Sequence, residues 1–233
     1  MQMVEPILFV SVFGGLLCLD RVFIQAMISR PVVIAPLMGW LLGDLYAGLV
    51  IGAIIELIWI DRLPIGTYIP PNDSLTAVLA TSTAVLSGSH GKNLPPELIS
   101  LSVLTAIPFG LLAKRMDTGI IRANNVLSDQ AIHDAEQNDI RSVEHKSYRG
   151  LFRAFLSYTL FLGVAQWIVI PAVHWGFPRL NAFILQALLW MYYFMPLLGI
   201  AVAVNMLKLR RALPVFCAVF LAVAVLLEIF HVR

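Results

Sequence analysis

The chain has 233 residues, of which 59% are hydrophobic and only 13% are charged, and its formal net charge is +2. A typical soluble domain is about 25% charged and about 45–50% apolar. The excess of apolar side chains therefore excludes an ordinary water-soluble fold and indicates a protein embedded in lipid. The small net charge gives no indication of nucleic-acid binding.

Apolar runs of two different lengths follow one another along the chain. The runs that are long enough to cross a bilayer as continuous helices lie at 151–173, 181–206 and 212–231. The runs in the first half are short and lie at 31–42, 46–60 and 75–88. Gly/Pro-interrupted short segments are typical of broken or re-entrant helices, although ordinary helices with short loops are an alternative. We predict an all-α, polytopic membrane protein with broken or re-entrant helices in its N-terminal half.

The domain organisation follows from the one long polar segment. Residues 1–113 form an N-terminal membrane region, and residues 151–233 form C-terminal membrane helices. Between them, residues 114–150 contain six lysines and arginines. Because basic residues accumulate on the cytoplasmic side of membrane proteins, we expect the 114–150 segment in the cytoplasm.

Ionisable residues inside apolar segments are candidate functional residues, because they are costly in lipid. Glu56 is surrounded by isoleucine and leucine. It must face a cavity, find a partner or take up a proton, so it indicates either recognition of a hydroxyl-rich ligand, proton coupling, or a structural pair with Arg62 or Arg21. Asp20 and Gln25 reach the same cavity if their helix is irregular, although Asp20 could instead mark the end of the first span.

Polar residues also stand immediately before two of the short runs. Asp44 follows a glycine, and its position favours a helix N-cap over contact with a ligand. Asn72 and Asp73 precede the next run, where a cap and a ligand-binding role are both consistent with the sequence. One residue of this pair could serve each role.

Motifs for catalysis are absent from the sequence. It contains no phosphate-binding glycine loop, no G-x-S-x-G motif and no HExxH motif. The histidines His90 and His174 show no metal-ligand spacing. We therefore expect no metal, no cofactor and no self-contained catalytic site, and we interpret the chain as a permeation or recognition subunit.

The order of short motifs in residues 15–85 resembles the membrane IIC subunit of the mannose/fructose/sorbose family of bacterial phosphotransferase systems. The motifs that carry the resemblance are, in order, Leu19-Asp20, Ser29-Arg30-Pro31, Gly43-Asp44, Gly52 to Glu56, Ile65-Gly66 and Pro70-Pro71.

This resemblance implies a multi-pass protein of the bacterial inner membrane. Such a subunit pairs with a membrane subunit, IID, and the pair carries a hexose or amino sugar. A cytoplasmic IIB subunit phosphorylates the sugar and is recharged by IIA, and these two subunits carry the phosphoryl-bearing histidines. Family members assemble into larger oligomers of IIC–IID pairs. Glu56 and Asp20 match polar positions of the family, and the residues expected to bind the sugar are Asp20, Gln25, Glu56, Asn72 and Asp73.

The chain also departs from the family pattern. Pro64 stands where Asn is common before Ile-Gly, and Asn72 stands where Asp commonly follows the last proline. The charged pair Asp61-Arg62 replaces small or apolar residues. These departures keep an alternative open, a non-transporting regulatory or scaffolding subunit that binds phosphotransferase partners through residues 114–150. A third possibility is an ion-coupled transporter with Glu56 as a proton relay.

Overall fold

The computed structural model describes residues 4–62, 68–88, 94–206, 214, 217–222 and 225. In these ranges all regular secondary structure is helical, as predicted. The helices are α1 (Val4–Cys18), α2 (Pro31–Leu42), α3 (Leu45–Ile58), α4 (Asp73–Ser87), α5 (Pro96–Glu136), α6 (Ile140–Gly176) and α7 (Ala182–Met206), with short 3-10 turns at Leu19–Arg21 and Phe177–Arg179.

Among the described residues, three helices are long and apolar enough to cross a membrane, and they correspond to α5, α6 and α7. The predicted crossings at 151–173 and 181–206 lie in α6 and α7, whereas most of the predicted crossing at 212–231 lies outside the described residues. Helices α2 and α3 have 12 and 14 residues, which falls short of the ~20 residues that span a bilayer. Their re-entrant path through the membrane stays a prediction.

Helices α2 and α3 form a tight antiparallel hairpin. Gly43 ends α2 with φ 96°, in the left-handed region that glycine adopts without strain. Asp44 then begins α3, because its Oδ1 accepts a hydrogen bond of 2.9 Å from the Ala47 amide. Further along the hairpin, a Cβ on Gly52 would lie 2.5 Å from the carbonyl oxygen of Pro31. Small residues thus allow the two backbones to touch, as in other membrane helix pairs.

Helix α4 is the central element of the fold. All of its residues from 74 to 85 are buried, and it packs against α1, α2, α3, α5 and α6. Its beginning is fixed against α5 by a backbone hydrogen bond of 3.1 Å from the Asn72 amide to the Gly110 carbonyl. The beginning of α4 is therefore held in place against α5 in the interior of the protein.

The polar segment 114–150 is a helical hairpin, formed by the end of α5 and the beginning of α6. Asn138 turns the chain with φ 57°, and Asp139 caps α6 by accepting a hydrogen bond of 3.1 Å from the Ser142 amide. Asp134 of α5 forms an ion pair with Lys146 of α6, which ties the two arms together. The cytoplasmic location of this hairpin stays a prediction.

Candidate functional site

A polar pocket of about 140 Å³ lies where the beginning of α2, the end of α3 and the beginning of α4 meet. We call it the N-terminal pocket. Its lining is mostly charged or polar and comprises Arg21, Ser29, Arg30, Glu56, Trp59, Arg62, Asp73 and Ser74. The predicted residues Glu56 and Asp73 are therefore brought together, although 17 positions separate them in the chain.

Glu56 lies at the end of α3, opposite the beginning of α2. Its Oε1 is 2.7 Å from the Arg30 guanidinium, and its side chain is 16% exposed. Its Oε2 is 3.5 Å from the amide nitrogen of Val32, a long contact to the first turn of α2. A carboxylate at a helix N-terminus is also favoured by the helix dipole. The predicted structural pair with Arg62 or Arg21 is wrong about the partner, which is Arg30.

Asn72 takes the predicted role of helix cap, whereas sugar binding by Asp73 stays a prediction. Asn72 is the N-cap of α4, because its Oδ1 accepts a hydrogen bond of 3.0 Å from the Leu75 amide. Asp73 lines the N-terminal pocket, and its Oδ1 lies 2.7 Å from the Arg21 guanidinium. Asn72 is 1% exposed and stands behind the pocket rather than in its lining.

Asp20 is buried beneath the loop that connects the Leu19–Arg21 turn to α2. One of its carboxylate oxygens accepts a hydrogen bond of 2.8 Å from the Ala26 amide. The other accepts from the Ser29 amide at 3.1 Å and from the Ser29 hydroxyl at 3.2 Å. Asp20 therefore does not line the pocket but holds Ser29, which does. Gln25 is exposed at the top of this loop with φ 57° and is likewise outside the lining.

The structure adds Arg30 and Trp59 to the residues predicted from the sequence. Trp59 follows Glu56 by three positions, a spacing that places two side chains on the same side of a helical turn. This spacing was the available signal for Trp59. Arg30 stands in the Ser29-Arg30-Pro31 motif, but nothing in the sequence indicated its pairing with Glu56, which is 26 positions away.

Asp117 is a further residue that the sequence did not reveal. It lies in α5 and is 7% exposed, and its Oδ2 accepts a hydrogen bond of 2.9 Å from the Asn72 side chain. Ala113, Asp117 and Ile120 are spaced as one face of a helix, and all three are buried. This spacing could have indicated the burial of Asp117, but many charged residues of the 114–150 segment surround it in the sequence.

The unusual pair Asp61-Arg62 lies at the edge of the N-terminal pocket. Arg62 lines the pocket, and its Nε is 3.2 Å from a carboxylate oxygen of Asp61. The pocket thus contains three guanidinium groups and two carboxylates. Pro64, the other departure from the family pattern, lies outside the described residues.

The lining suits a small, hydroxyl-rich ligand. Arginine provides several N–H donors in a rigid fork, and a carboxylate accepts hydrogen bonds at two oxygens. The volume of about 140 Å³ is smaller than the roughly 300–1,000 Å³ of pockets for drug-sized ligands.

The chain is similar in sequence to known phosphotransferase components. The family model described as the sorbose-specific IIC component of the phosphotransferase system matches residues 4–232. A curated relative, "Putative N-acetylgalactosamine permease IIC component 2" of Escherichia coli strain K12, is 34% identical over 82 residues. That alignment covers 35% of this chain and 56% of the relative, so the chain matches little more than half of the relative's length.

Two solved structures share the fold. A chain described only as a membrane protein superposes with a TM-score of 0.73 at 17% identity, over 99% of this chain and 93% of the other. A chain of the mannose transporter ManYZ in complex with microcin E492 superposes with a TM-score of 0.59 at 18% identity, over 94% of this chain and 84% of the other. At these identities the two structures support the fold alone. Because the family model matches nearly the whole chain, the protein belongs to the family of sorbose-specific IIC components of the phosphotransferase system.

Proposed function

We propose that the protein is the IIC permease subunit of a phosphoenolpyruvate-dependent phosphotransferase system, which translocates a hexose or amino sugar together with a IID subunit. The observation that carries this proposal is the N-terminal pocket, where charged side chains gather between the apolar helices α2 and α3 and the beginning of α4. Buried charges in membrane segments mark substrate pathways. The names of an N-acetylgalactosamine permease component and of a mannose transporter among its relatives support a hexose or amino sugar as the substrate class.

The proposed binding mode uses both kinds of charge in the pocket. The carboxylates of Glu56 and Asp73 accept hydrogen bonds from sugar hydroxyls, while the guanidinium groups donate to ring and hydroxyl oxygens. Each carboxylate is already paired with an arginine, so neither is left as an isolated charge when water leaves the pocket. Trp59 adds an apolar ring beside these groups.

Selectivity among sugars follows from the same arrangement. A hydroxyl of the wrong configuration leaves a buried acceptor or donor without a partner, and the cost of that unpaired group is what discriminates similar ligands. Asp20 and Asn72, which the resemblance named as sugar-binding residues, lie behind the pocket and hold Ser29 and the start of α4. They shape the site without contacting the sugar.

The proposed complex contains further subunits. A IID subunit completes the membrane unit, IIB phosphorylates the sugar on the cytoplasmic side, and IIA recharges IIB. Helix α7 offers a surface for a membrane partner, because Trp190, Phe194 and Leu198 are 56%, 46% and 61% exposed. We place these IIC–IID pairs, as a larger oligomer, in the bacterial inner membrane.

Uptake measurements test this proposal. The chain is expressed with the subunits that co-purify with it from its native membranes, and cells are supplied with radiolabelled mannose, N-acetylgalactosamine or sorbose. We expect at least one of these sugars to accumulate as its phosphate, dependent on phosphoenolpyruvate. Co-purification of IIB or IID without uptake of any of the three would contradict the proposal and favour the regulatory subunit.

The regulatory alternative has one structural observation in its favour. Arg62 brings a third guanidinium group into a pocket that is already small, and both pocket carboxylates are held in ion pairs. Proton coupling through Glu56 is tested in the same assay, since uptake that is unchanged when the pH gradient is abolished contradicts it.

A further inference from the structure

Asp117 is a buried carboxyl group that lies outside the N-terminal pocket. It stands on α5, on the face that packs against the rest of the protein, and is 7% exposed. A carboxylate in such a place is costly unless specific groups compensate it. The groups that form hydrogen bonds with Asp117 therefore indicate what this side chain does in the fold.

One buried side chain from a neighbouring helix holds the Asp117 carboxyl group. The amide nitrogen of the Asn72 side chain, at the beginning of α4, donates a hydrogen bond of 2.9 Å to its Oδ2. Its other oxygen, Oδ1, is buried and has no hydrogen-bond partner among the described residues. Asn72 in turn immediately precedes Asp73, which lines the pocket and pairs with Arg21. Asp117 thus connects the long α5–α6 hairpin to the start of the central helix.

Asn72 links Asp117 to the first turn of α4, because the oxygen and the nitrogen of its side-chain amide each form a hydrogen bond. The oxygen accepts from the Leu75 amide and caps α4, while the nitrogen donates to Asp117. An amide nitrogen can only donate, so the Asp117 oxygen that faces it is the acceptor. The Asp117 oxygen and the Leu75 amide thus together fix which way the Asn72 amide faces, and with it the geometry of the cap.

The residue after Asn72 is Asp73, which lines the pocket and pairs with Arg21. Its position depends on how the first turn of α4 is held. We propose that Asp117 is a positioning residue for sugar binding, which acts through Asn72 to set Asp73 in the pocket. This inference rests on the proposed function and adds to it a residue that does not touch the sugar.

The first test is Asp117→Asn in the complete complex, with uptake of whichever of mannose, N-acetylgalactosamine and sorbose the wild type transports. Asparagine keeps the size of the side chain but weakens its hold on the Asn72 amide. We expect KM to rise roughly five- to tenfold, the range of a modest coupling between two sites, with a smaller change in Vmax. Asp129→Asn, on the exposed part of the same helix, is the matched control and should keep the wild-type KM. A wild-type KM in Asp117→Asn would overturn the inference.

The second test exchanges the amide and carboxyl side chains at positions 72 and 117. In the double variant Asn72→Asp with Asp117→Asn, a carboxylate at position 72 can accept from both the Leu75 amide and the new asparagine. The donor–acceptor pair is restored with the same total charge, so KM should return towards the wild-type value. This variant also decides the question if Asp117→Asn alone fails to accumulate. The reference is Asn72→Ala, which lacks both hydrogen bonds of the Asn72 side chain and should have a raised KM. A double variant that accumulates but has a KM as high as that of Asn72→Ala contradicts the inference.

A measurement without sugar separates this inference from the proposed function. Hydrogen exchange of the amides at 74–76 in the purified complex reports the α4 cap directly. Asp117→Asn should accelerate this exchange and Asp129→Asn should not. Accelerated exchange in a complex that transports no sugar would support the positioning network and contradict the permease function, whereas unchanged exchange contradicts the positioning role itself.

Discussion

The carboxylate of Glu56 lies 2.7 Å from the guanidinium of Arg30, and this ion pair joins the end of α3 to the beginning of α2. The two residues face each other because α2 and α3 are antiparallel and in direct backbone contact. The shape of the N-terminal pocket therefore depends on the packing of this hairpin.

Gly48→Ala tests that dependence. A Cβ at Gly48 would collide with the carbonyl oxygen of Ala35 and would lie 2.9 Å from the Cα of Pro36. Because both contacts are to backbone of α2, the helices must separate. We expect a loss of about 1–3 kcal/mol in the free energy of unfolding, as for other overpacked interiors, measured as a lower unfolding temperature by intrinsic fluorescence in detergent.

Gly119→Ala is the matched control, since a Cβ at Gly119 meets no atom within 4 Å. Replacing an unconstrained helical glycine by alanine stabilises a helix by roughly 0.5–1 kcal/mol. The control should therefore unfold at the same temperature as the wild type or slightly higher. Equal unfolding temperatures for Gly48→Ala and Gly119→Ala would show that α2 and α3 are not in backbone contact.

Asp44→Ala tests the beginning of α3. The substitution removes the oxygen that accepts from the Ala47 amide, and loss of such a cap typically costs about 0.5–2 kcal/mol. We expect faster hydrogen exchange of the amides at 45–47 and a lower unfolding temperature. Asp44→Ser, which retains a capping oxygen, should stay close to the wild type. If alanine and serine behave alike at this position, the cap makes no measurable contribution.

Asp20→Ala tests the loop that carries Ser29 and Arg30 to the pocket. It removes the acceptor of the hydrogen bonds from Ala26 and Ser29, so the loop should open. Trypsin should then cleave faster after Arg21 in the purified protein, while the bond after Arg30 resists because Pro31 follows. Sugar affinity should fall as well, since Ser29 and Arg30 line the pocket.

The same loop offers Gln25→Gly as a control. Gln25 is exposed and has a left-handed φ of 57°, a conformation that glycine adopts at little cost. Trypsin sensitivity and sugar affinity should both be unchanged. A large loss of affinity in Gln25→Gly would instead support the prediction that Gln25 contacts the sugar.

Features encoded over a few residues were predictable from the sequence. The cap at Asp44 follows from a glycine and an acidic residue before an apolar run. That Glu56 must face a cavity or find a charged partner follows from its apolar neighbours. The all-helical fold likewise follows from the length and composition of the apolar runs. In each case the physical cause lies within one turn or one helix.

Features that depend on packing between distant segments were not predictable in the same way. The sequence offers Arg62 or Arg21 as a structural partner of Glu56, whereas the structure pairs it with Arg30. Nothing local in the sequence indicates that the start of α2 lies beside the end of α3. Asp117 was hidden because its burial depends on which face of α5 meets α4 and α6, and charged residues surround it in the chain. Asp20 looked like a ligand residue, but the loop it holds uses both of its oxygens.

Sugar binding by Glu56→Gln is the most direct test of the central claim that the N-terminal pocket holds the substrate. The purified wild-type complex and the variant are titrated calorimetrically with the hexose that the wild type transports, beside Glu144→Gln, an exposed glutamate in the α5–α6 hairpin. Loss of a hydrogen bond to a charged group is worth about 1.5–3 kcal/mol. We therefore expect Glu56→Gln to bind the sugar about 10- to 100-fold more weakly and Glu144→Gln to bind it normally. Wild-type affinity in Glu56→Gln would contradict the assignment of this pocket as the sugar site.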